Sequence, residues 1–415
     1  MQKDNIIAGL DMGSGKVTCV LASHDPATGN FKVLSGKSME CKGLKGGVVV
    51  DIRATSDVIT RVLEAAENEA KCQISGVSLA VRGVHLNSLC SHGAYNIARP
   101  NKEITEEDIQ AAIENAKAIP IKNDREILHV VPLSFSIDRQ PGVPNPEGME
   151  GSLLEVDIHT VTASASHLGN IAKAVAQAGF SVEETTYSLL AMGDNVLTNE
   201  EKELGAVLLD MGGETISVGL YVEGGIRFSK DIPYGCDLIT RDIAYGLHTS
   251  REVAKQIKEK YGSAVPSLTS DDEEINVPSM DRRSSHSIKT SFLSEIIQPR
   301  VEELFEIVRD EIKRTRYADV PGICVLTGGG SMMRGTAEIC SQILSMREVR
   351  LGGINPDHVL CDSEFLDPLY SGALSVVLYS GSKYAAGGIA SSAAKKPLFD
   401  KLSDLFRSFD VFGKE

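Results

Sequence analysis

The feature that most constrains this chain is a short stretch that it uses twice. Residues 9–21 read Gly-Leu-Asp-Met-Gly-Ser-Gly-Lys-Val-Thr-Cys-Val-Leu, and residues 208–220 read Leu-Leu-Asp-Met-Gly-Gly-Glu-Thr-Ile-Ser-Val-Gly-Leu. Each is an apolar strand, an Asp, a Gly-rich turn and a second apolar strand. Asp11-Met12-Gly13 and Asp210-Met211-Gly212 match letter for letter. A Gly-rich turn lets backbone N–H groups close around an anion with no Cβ in the way, and such concavities suit phosphate oxygens. The Asp before the turn sits at a strand end, where it can hold a hydrated Mg²⁺ or orient a water. Taken singly, either copy is equally well an ordinary turn, because Asp and Gly are common turn residues. Repeated, the pair argues for two hairpins that clamp a polyphosphate from both sides of a cleft.

A third glycine turn follows. Ile323-Cys324-Val325-Leu326-Thr327-Gly328-Gly329-Gly330-Ser331 is a buried-type strand running into three glycines and a helix. Alone it is an ordinary tight loop. As the third turn at a strand's C-terminal end it suits the adenosine end of a nucleotide.

Composition narrows the class. At 415 residues the chain needs more than one core. The net charge, 42 − 57 = −15, disfavours bulk binding to nucleic acid. Eight Cys occur singly, with no CxxC pair or Cys/His cluster for zinc, and their spread fits thiols in a reducing cytosol. The nine His are scattered, with no HExxH, and no GxSxG elbow supports a serine nucleophile. The N-terminal residues show no signal-peptide pattern, and no apolar run approaches the ~20 residues of a membrane span.

In chain order, strands are expected at 5–22, 31–38 and 47–51, then a helix over 52–71 with Val58, Ile59, Val62, Leu63, Ala66 and Ala70 on one stripe, then a strand at 77–81. Residues 84–166 read as a small α+β insertion: strands at 85–98, 125–138 and 153–164, a helix opening at Thr105, and an exposed loop over 140–151. Helices are expected at 167–179 and 188–197, with a short connection through Glu184. The second hairpin spans 205–222 and continues at 225–232. Helices follow at 239–246, 250–261 and 291–317, the last kinked at Pro299. Residues 263–287 read as a polar loop around short strands, and Asp271-Asp272-Glu273-Glu274 as a solvated part of it. A strand at 322–326, a helix at 335–345 and a last helix at 366–379 precede a Gly/Ala/Ser-rich linker at 381–396.

These turns, in this order, resemble the actin-like ATPase superfamily, and the insertion at about 84–166 narrows the resemblance to the FtsA family of bacterial division proteins. Pro146-Glu147-Gly148-Met149-Glu150-Gly151 and Leu154–His159 are similar to an FtsA strand pair. The resemblance implies an α/β, actin-like fold, two halves around a nucleotide cleft. It implies subdomain 1A at 1–83, 167–199 and 366–380, 1C at 84–166, 2A at 200–245 and 312–365, and 2B at 246–311. It implies ATP and Mg²⁺ as cofactors. Asp11 and Asp210 would be catalytic and would hold the metal through water. Ser14, Gly15, Lys16, Gly212, Gly213 and Thr215 would hold phosphates. Lys255, Lys258, Glu259, Gly329 and Gly330 would hold the nucleoside. Arg300 matches a position where FtsA proteins hold the tail of FtsZ, and it reads equally as a surface Arg. The other implied partners are a second copy of the chain through 1C and 2B, and further division proteins through 1C.

Two letters depart from the pattern. Glu214 stands where the second loop usually has a third Gly, adding a carboxylate beside the expected phosphates. The segment Thr185-Thr186-Tyr187-Ser188 lacks the Gln or Glu that orients water in actins, so slow hydrolysis is expected.

The C-terminal residues 397–412 carry Leu398, Phe399, Leu402, Leu405, Phe406, Phe409 and Phe412 on one arc of about 140°, at about 100° per residue. Lys401 and Arg407 lie on the polar side. Such a helix at the end of a linker suits anionic lipid headgroups, in line with the FtsA membrane-targeting tail. The resulting expectation is a peripheral protein on the cytoplasmic face of the inner membrane, at the division septum, tethering FtsZ filaments. The alternatives are a PilM-like adaptor and a small-molecule kinase of the same superfamily.

Overall fold

The computed structural model describes residues 5–25, 28–269, 273–280, 283–320, 322–356 and 359–385. The amphipathic segment 397–412 and most of the expected linker lie outside these residues.

The first half opens with β1 (Asn5–Met12), β2 (Lys16–His24) and β3 (Phe31–Glu40). A two-residue-per-arm hairpin, β4 (Leu44–Lys45) and β5 (Val48–Val49), replaces the strand expected at 47–51. Helix α1 (Ile52–Ala70) starts at Asp51, whose carboxylate accepts from the Ala54 N–H at 3.0 Å. Its expected stripe is its buried face: Ile59, Val62, Leu63 and Ala66 are fully enclosed. Burial of each larger side chain contributes about 1.5–3 kcal/mol. Strand β6 (Gly76–Val81) then runs parallel to β1.

The insertion consists of β7 (Leu86–Asn96), α2 (Glu106–Ala116), β8 (Arg125–Ile137), β9 (Gln140–Val143) and β10 (Leu153–Ser164). Its sheet has the order β7-β10-β8-β9, with α2 packed on β7 and β10. The expected exposed loop at 140–151 thus begins with a strand. Asp138 and Arg139 both take positive φ, 48° and 68°, the two central positions of a tight hairpin turn. Neither is Gly, which hid the turn.

The chain returns through α3 (Ala165–Gln177), β11 (Ser181–Tyr187) and α4 (Ser188–Val196). The expected short connection is therefore the parallel edge strand β11, paired with β6. Its Glu, Thr and Ser content masked it, because one side of an edge strand faces water.

The second half is α5 (Asn199–Leu204), β12 (Ala206–Met211), β13 (Ile216–Val222), β14 (Gly225–Ile232), α6 (Asp237–Gly246), α7 (Arg251–Tyr261), β15 (Glu274–Pro278), β16 (Ser285–Lys289), α8 (Thr290–Lys313), β17 (Ile323–Thr327), α9 (Thr336–Leu344) and β18 (Glu348–Leu351). Helix α8 continues through Pro299. Ile275 and Val277 of the β15–β16 hairpin are buried beneath α8, so the polar stretch is anchored. Last come β19 (Val359–Leu360) and α10 (Ser371–Ala385). The closing helix starts at Ser371 rather than 366, after a single tight turn at Ser363–Leu366 and the Asp367-Pro368 step, and it takes the first residues of the expected linker.

Two sheets of matching plan result. One has the order β11-β6-β1-β2-β3-β19, the other β14-β13-β12-β17-β18. In each, an antiparallel meander continues on its first-strand side into two parallel strands, and the first sheet adds β19 parallel to β3 at the other edge. The sequence repeat is thus a repeat of architecture. Even the register agrees: Asp11 pairs with Thr18 and Asp210 with Ser217, and Gly13 N and Gly212 N donate to Lys16 O at 3.0 Å and Thr215 O at 2.9 Å. Between the sheets, α4 and α10 pack on each other in a shared apolar core with Leu189, Leu208, Val325, Leu374 and Val377. The insertion lies against β14: Ser88 Oγ donates to Ser229 O at 2.5 Å, and His159 Nε2 lies 2.9 Å from Ser229 Oγ.

Helix α10 approaches β1 so closely that a Cβ at Gly9 would lie 2.3 Å from Ala373 O. Gly9→Ala should therefore destabilise the fold by about 1–3 kcal/mol, read as a lower urea midpoint. An unchanged midpoint would show that the two elements can part freely.

Candidate functional site

Parallel strands β6 and β1 in one sheet and β12 and β17 in the other all end at the crevice between the halves, the usual ligand position in open α/β sheets. Asp11 and Asp210 stand at two of these ends. They face each other, and Arg82, the residue after β6, lies between them. Arg82 Nη2 is 2.6 Å from Asp11 Oδ2, and Nη1 pairs with Asp210 Oδ2. Nη2 also donates to Ser188 Oγ at 3.1 Å. All three charged groups are buried, at 7% exposure for Arg82, 7% for Asp11 and 3% for Asp210. Burial disfavours the Arg82 cation, but Asp11 and Asp210 outweigh it and hold the guanidinium above its ordinary value. For Asp11 burial raises the carboxyl, Arg82 pulls against that, and Asp210 adds to it.

Further contacts tie the halves together. Ser14 Oγ and Thr215 Oγ1, at the tips of the two hairpins, are 3.2 Å apart. Glu214 Oε2 accepts from Gly46 N at 2.5 Å. That bond gives the carboxylate a donor of its own, on the first half. Lys255 pairs with Glu40 across the cleft. Asp231 accepts from Gly83 N at 2.6 Å and from the Tyr187 hydroxyl at 3.1 Å.

The predicted residues fall into three groups. Ser14, Gly15, Lys16, Gly212, Gly213 and Thr215 share the two facing hairpins. A phosphate between them needs the hairpin tips to part. Lys258 Nζ donates to Cys236 O at 3.1 Å, and Gly330 packs on Cys236, so α7 and the third glycine turn meet beside the second hairpin. Glu259 is exposed on α7, and Gly329 is exposed in its turn. Arg300 lies well away, on α8. It binds Asp242 through Nε at 2.5 Å and also pairs with Glu303, beside Tyr245, which is 82% exposed.

A divalent ion on Asp11 and Asp210 does not fit this arrangement. Each carboxylate gives its Oδ2 to Arg82, and the buried Oδ1 of Asp11 has no hydrogen-bond partner. A dication at the carboxylates would have to displace the guanidinium, because the cation already lies between the two acids. Among the described residues, no group of three or more His, Cys, Asp or Glu is placed to hold a metal. The magnesium expected at Asp11 and Asp210 is thus met by a built-in cation.

Sequence reasoning missed Arg82, Asp231 and Glu40. For Arg82 a signal existed: it is the lone charge closing the apolar strand Gly76–Val81, one strand over from Asp11. Glu184, unplaced from sequence, accepts from Ser380 Oγ at 3.1 Å, and Ser188 touches Arg82.

The fold and its facing hairpins define an actin-like ATPase fold, a nucleotide-binding architecture. It resembles the solved PilM-PilN type IV pilus biogenesis complex at TM-score 0.66, with 19% identity over 90% of this chain and 98% of that one. It also resembles MreB5 of Spiroplasma citri bound to ADP at TM-score 0.51, with 13% identity over 92% and 99%. A family model described as cell division protein FtsA matches residues 207–375, and one described as the SHS2 domain inserted in FtsA matches 83–162. Cell division protein FtsA of Pseudomonas aeruginosa is 35% identical over 97% of both chains. That of Borreliella burgdorferi is 33% identical over 98% of both, and that of Escherichia coli K12 is 32% identical over 92% of both. The chain belongs to the FtsA family of cell division proteins.

Burial pushes the Asp231 carboxyl up to about 6, with Ser217, Gly83 and Tyr187 hydrogen bonds and Arg82 opposing it. Its folded value exceeds the unfolded one, so between about pH 4 and 6 the folded state holds a proton that the unfolded chain has lost. Its contribution to stability is then greatest below about pH 4 and is lost as pH rises to about 6, by up to about 3 kcal/mol. Urea unfolding at pH 4 and pH 7 should show a smaller fall for Asp231→Asn than for wild type. Equal falls would mean that Asp231 is ionised throughout.

Proposed function

We propose that this chain binds ATP in the cleft, self-associates on the cytoplasmic face of the cell membrane at the division septum, and tethers FtsZ filaments there. The observation that carries the reading is similarity to FtsA proteins over nearly the whole chain, joined to the paired hairpins. Magnesium, expected with the ATP, would find Asp11 and Asp210 already paired with Arg82. Hydrolysis is slow in this reading, because the segment Thr185-Thr186-Tyr187-Ser188 carries no water-orienting Gln or Glu.

Membrane attachment rests on the C-terminal segment, with Leu398, Phe399, Leu402, Leu405, Phe406 and Phe409 inserted and Lys401 and Arg407 near anionic headgroups. No helix of the described residues is long and apolar enough to cross a membrane. Self-association uses the insertion and the segment 246–311, and further division proteins meet the insertion. Arg300 is the proposed contact for the acidic FtsZ tail. It borders a depression lined by Asp242, Tyr245, Ile296 and Pro299, and an acidic peptide would have to displace Asp242 and Glu303 from the guanidinium.

Electron microscopy on anionic lipid monolayers with ATP should show protein arrays that recruit FtsZ filaments. A chain lacking residues 396–415 should leave the lipid bare. Full recruitment without that segment would end the tethering proposal. Arg300→Glu should weaken binding of the FtsZ tail peptide by about 10- to 100-fold in fluorescence anisotropy. An unchanged Kd would place the tail elsewhere.

A further inference from the structure

The two cleft carboxylates carry a cation supplied by the chain. Arg82 and Asp11 leave adjacent strands of one sheet, whereas Asp210 belongs to the other half. Parting the halves therefore breaks the Arg82–Asp210 pair and leaves Arg82–Asp11 intact. One edge of the guanidinium is then free, aimed into the space between the hairpins. Its place is maintained from its own half. Ser188 Oγ accepts from Nη2, whereas the Gly83–Asp231 bond, which crosses to β14, holds the adjoining backbone only while the cleft is shut. Gly372, near the start of α10, supplies the room: a Cβ there would lie 2.4 Å from Asp11 Oδ2 and 2.7 Å from Arg82 Nη2. A planar guanidinium with a fork of donors suits phosphate oxygens. Lys16 on the first hairpin and Lys255 on α7 are further cations bordering this cleft, whereas Asp11, Asp210, Glu214, Asp231 and Glu40 are among its acids.

We infer that Arg82 replaces the divalent cation in this cleft, so that nucleotide phosphates are bound by the guanidinium without need of magnesium. The inference rests on the nucleotide reading above. It assigns Arg82 two states: a bridge between Asp11 and Asp210 when the cleft is shut, and a phosphate ligand when a nucleotide parts the hairpins.

Two titrations of the full chain test it. In the first, a fluorescent ATP analogue is titrated with excess magnesium and again with EDTA. The wild-type Kd should change by less than about threefold. Arg82→Ser should bind at least about tenfold more weakly in EDTA and recover with magnesium. A wild-type Kd that rises about tenfold or more in EDTA overturns the inference and leaves nucleotide binding standing. Absence of binding in both buffers overturns both. In the second titration, manganese alone is followed by electron paramagnetic resonance. Arg82→Ser should bind one ion more than wild type, at the freed carboxylates; equal counts overturn the inference. The wild-type arms of the first titration decide the matter even if Arg82→Ser fails to fold.

Discussion

Two carboxylates cannot be buried face to face without a positive charge between them. That constraint governs the centre of this molecule. Duplication of the strand–Asp–Gly hairpin places Asp11 and Asp210 at equivalent positions of two equivalent sheets. Closing the sheets on each other brings the acids together. Left alone, one of them would have to take up a proton, because like charges in a water-poor site cannot both ionise cheaply. Arg82 resolves the conflict and fixes the relative position of the halves. The other cross-cleft bonds, Ser14–Thr215, Glu214–Gly46 and Asp231–Gly83, are satisfied in the same closed arrangement.

The parts that were legible in the sequence are those set by local pattern. Apolar stripes gave α1 almost to the residue, and the twin hairpins followed from the repeated pattern of apolar strand, Asp, Gly-rich turn and second apolar strand. Of the strands that escaped, two did so for clear physical reasons. Strand β11 is an edge strand whose polar side chains look like a connection, and β9 follows a turn that forces positive φ on Asp138 and Arg139 without any Gly. At the site the residue types were found but their state was not. The Arg82–Asp210 pair joins positions 128 apart in sequence, and no local spacing encodes such a contact. Glu214 shows the same limit. As a letter it is an intrusive negative charge among phosphates; in the fold its carboxylate has a backbone donor on the opposite half.

The insertion illustrates a different economy. Strand β14 lies at the rim of the second sheet, where an unpaired edge invites pairing with other chains. The insertion belongs to the first half but rests on β14 through Ser88, Cys90 and His159. One element thus shields a vulnerable strand and bridges the halves, and its strand β8 also meets the closing helix, where His129 and Tyr379 stack edge-on at 6.5 Å. Burial pushes His159 down to about 4, so this junction is built from a neutral imidazole and hydroxyl groups rather than from an ion pair.

The closing helix has a mechanical side. Gly372, in its first turn, abuts the Asp11–Arg82 pair, and the helix continues to Ala385, about 20 Å away at about 1.5 Å per residue. Beyond Ala385 the sequence continues through the rest of the expected linker to the amphipathic residues 397–412. The helix thus joins the ion pair to the far edge of the first half as one rigid rod. For such a rod, a tilt of about 10° at the ion-pair end displaces Ala385 by about 3–4 Å, so an ångström-scale rearrangement at the ion pair is amplified at the helix's far end.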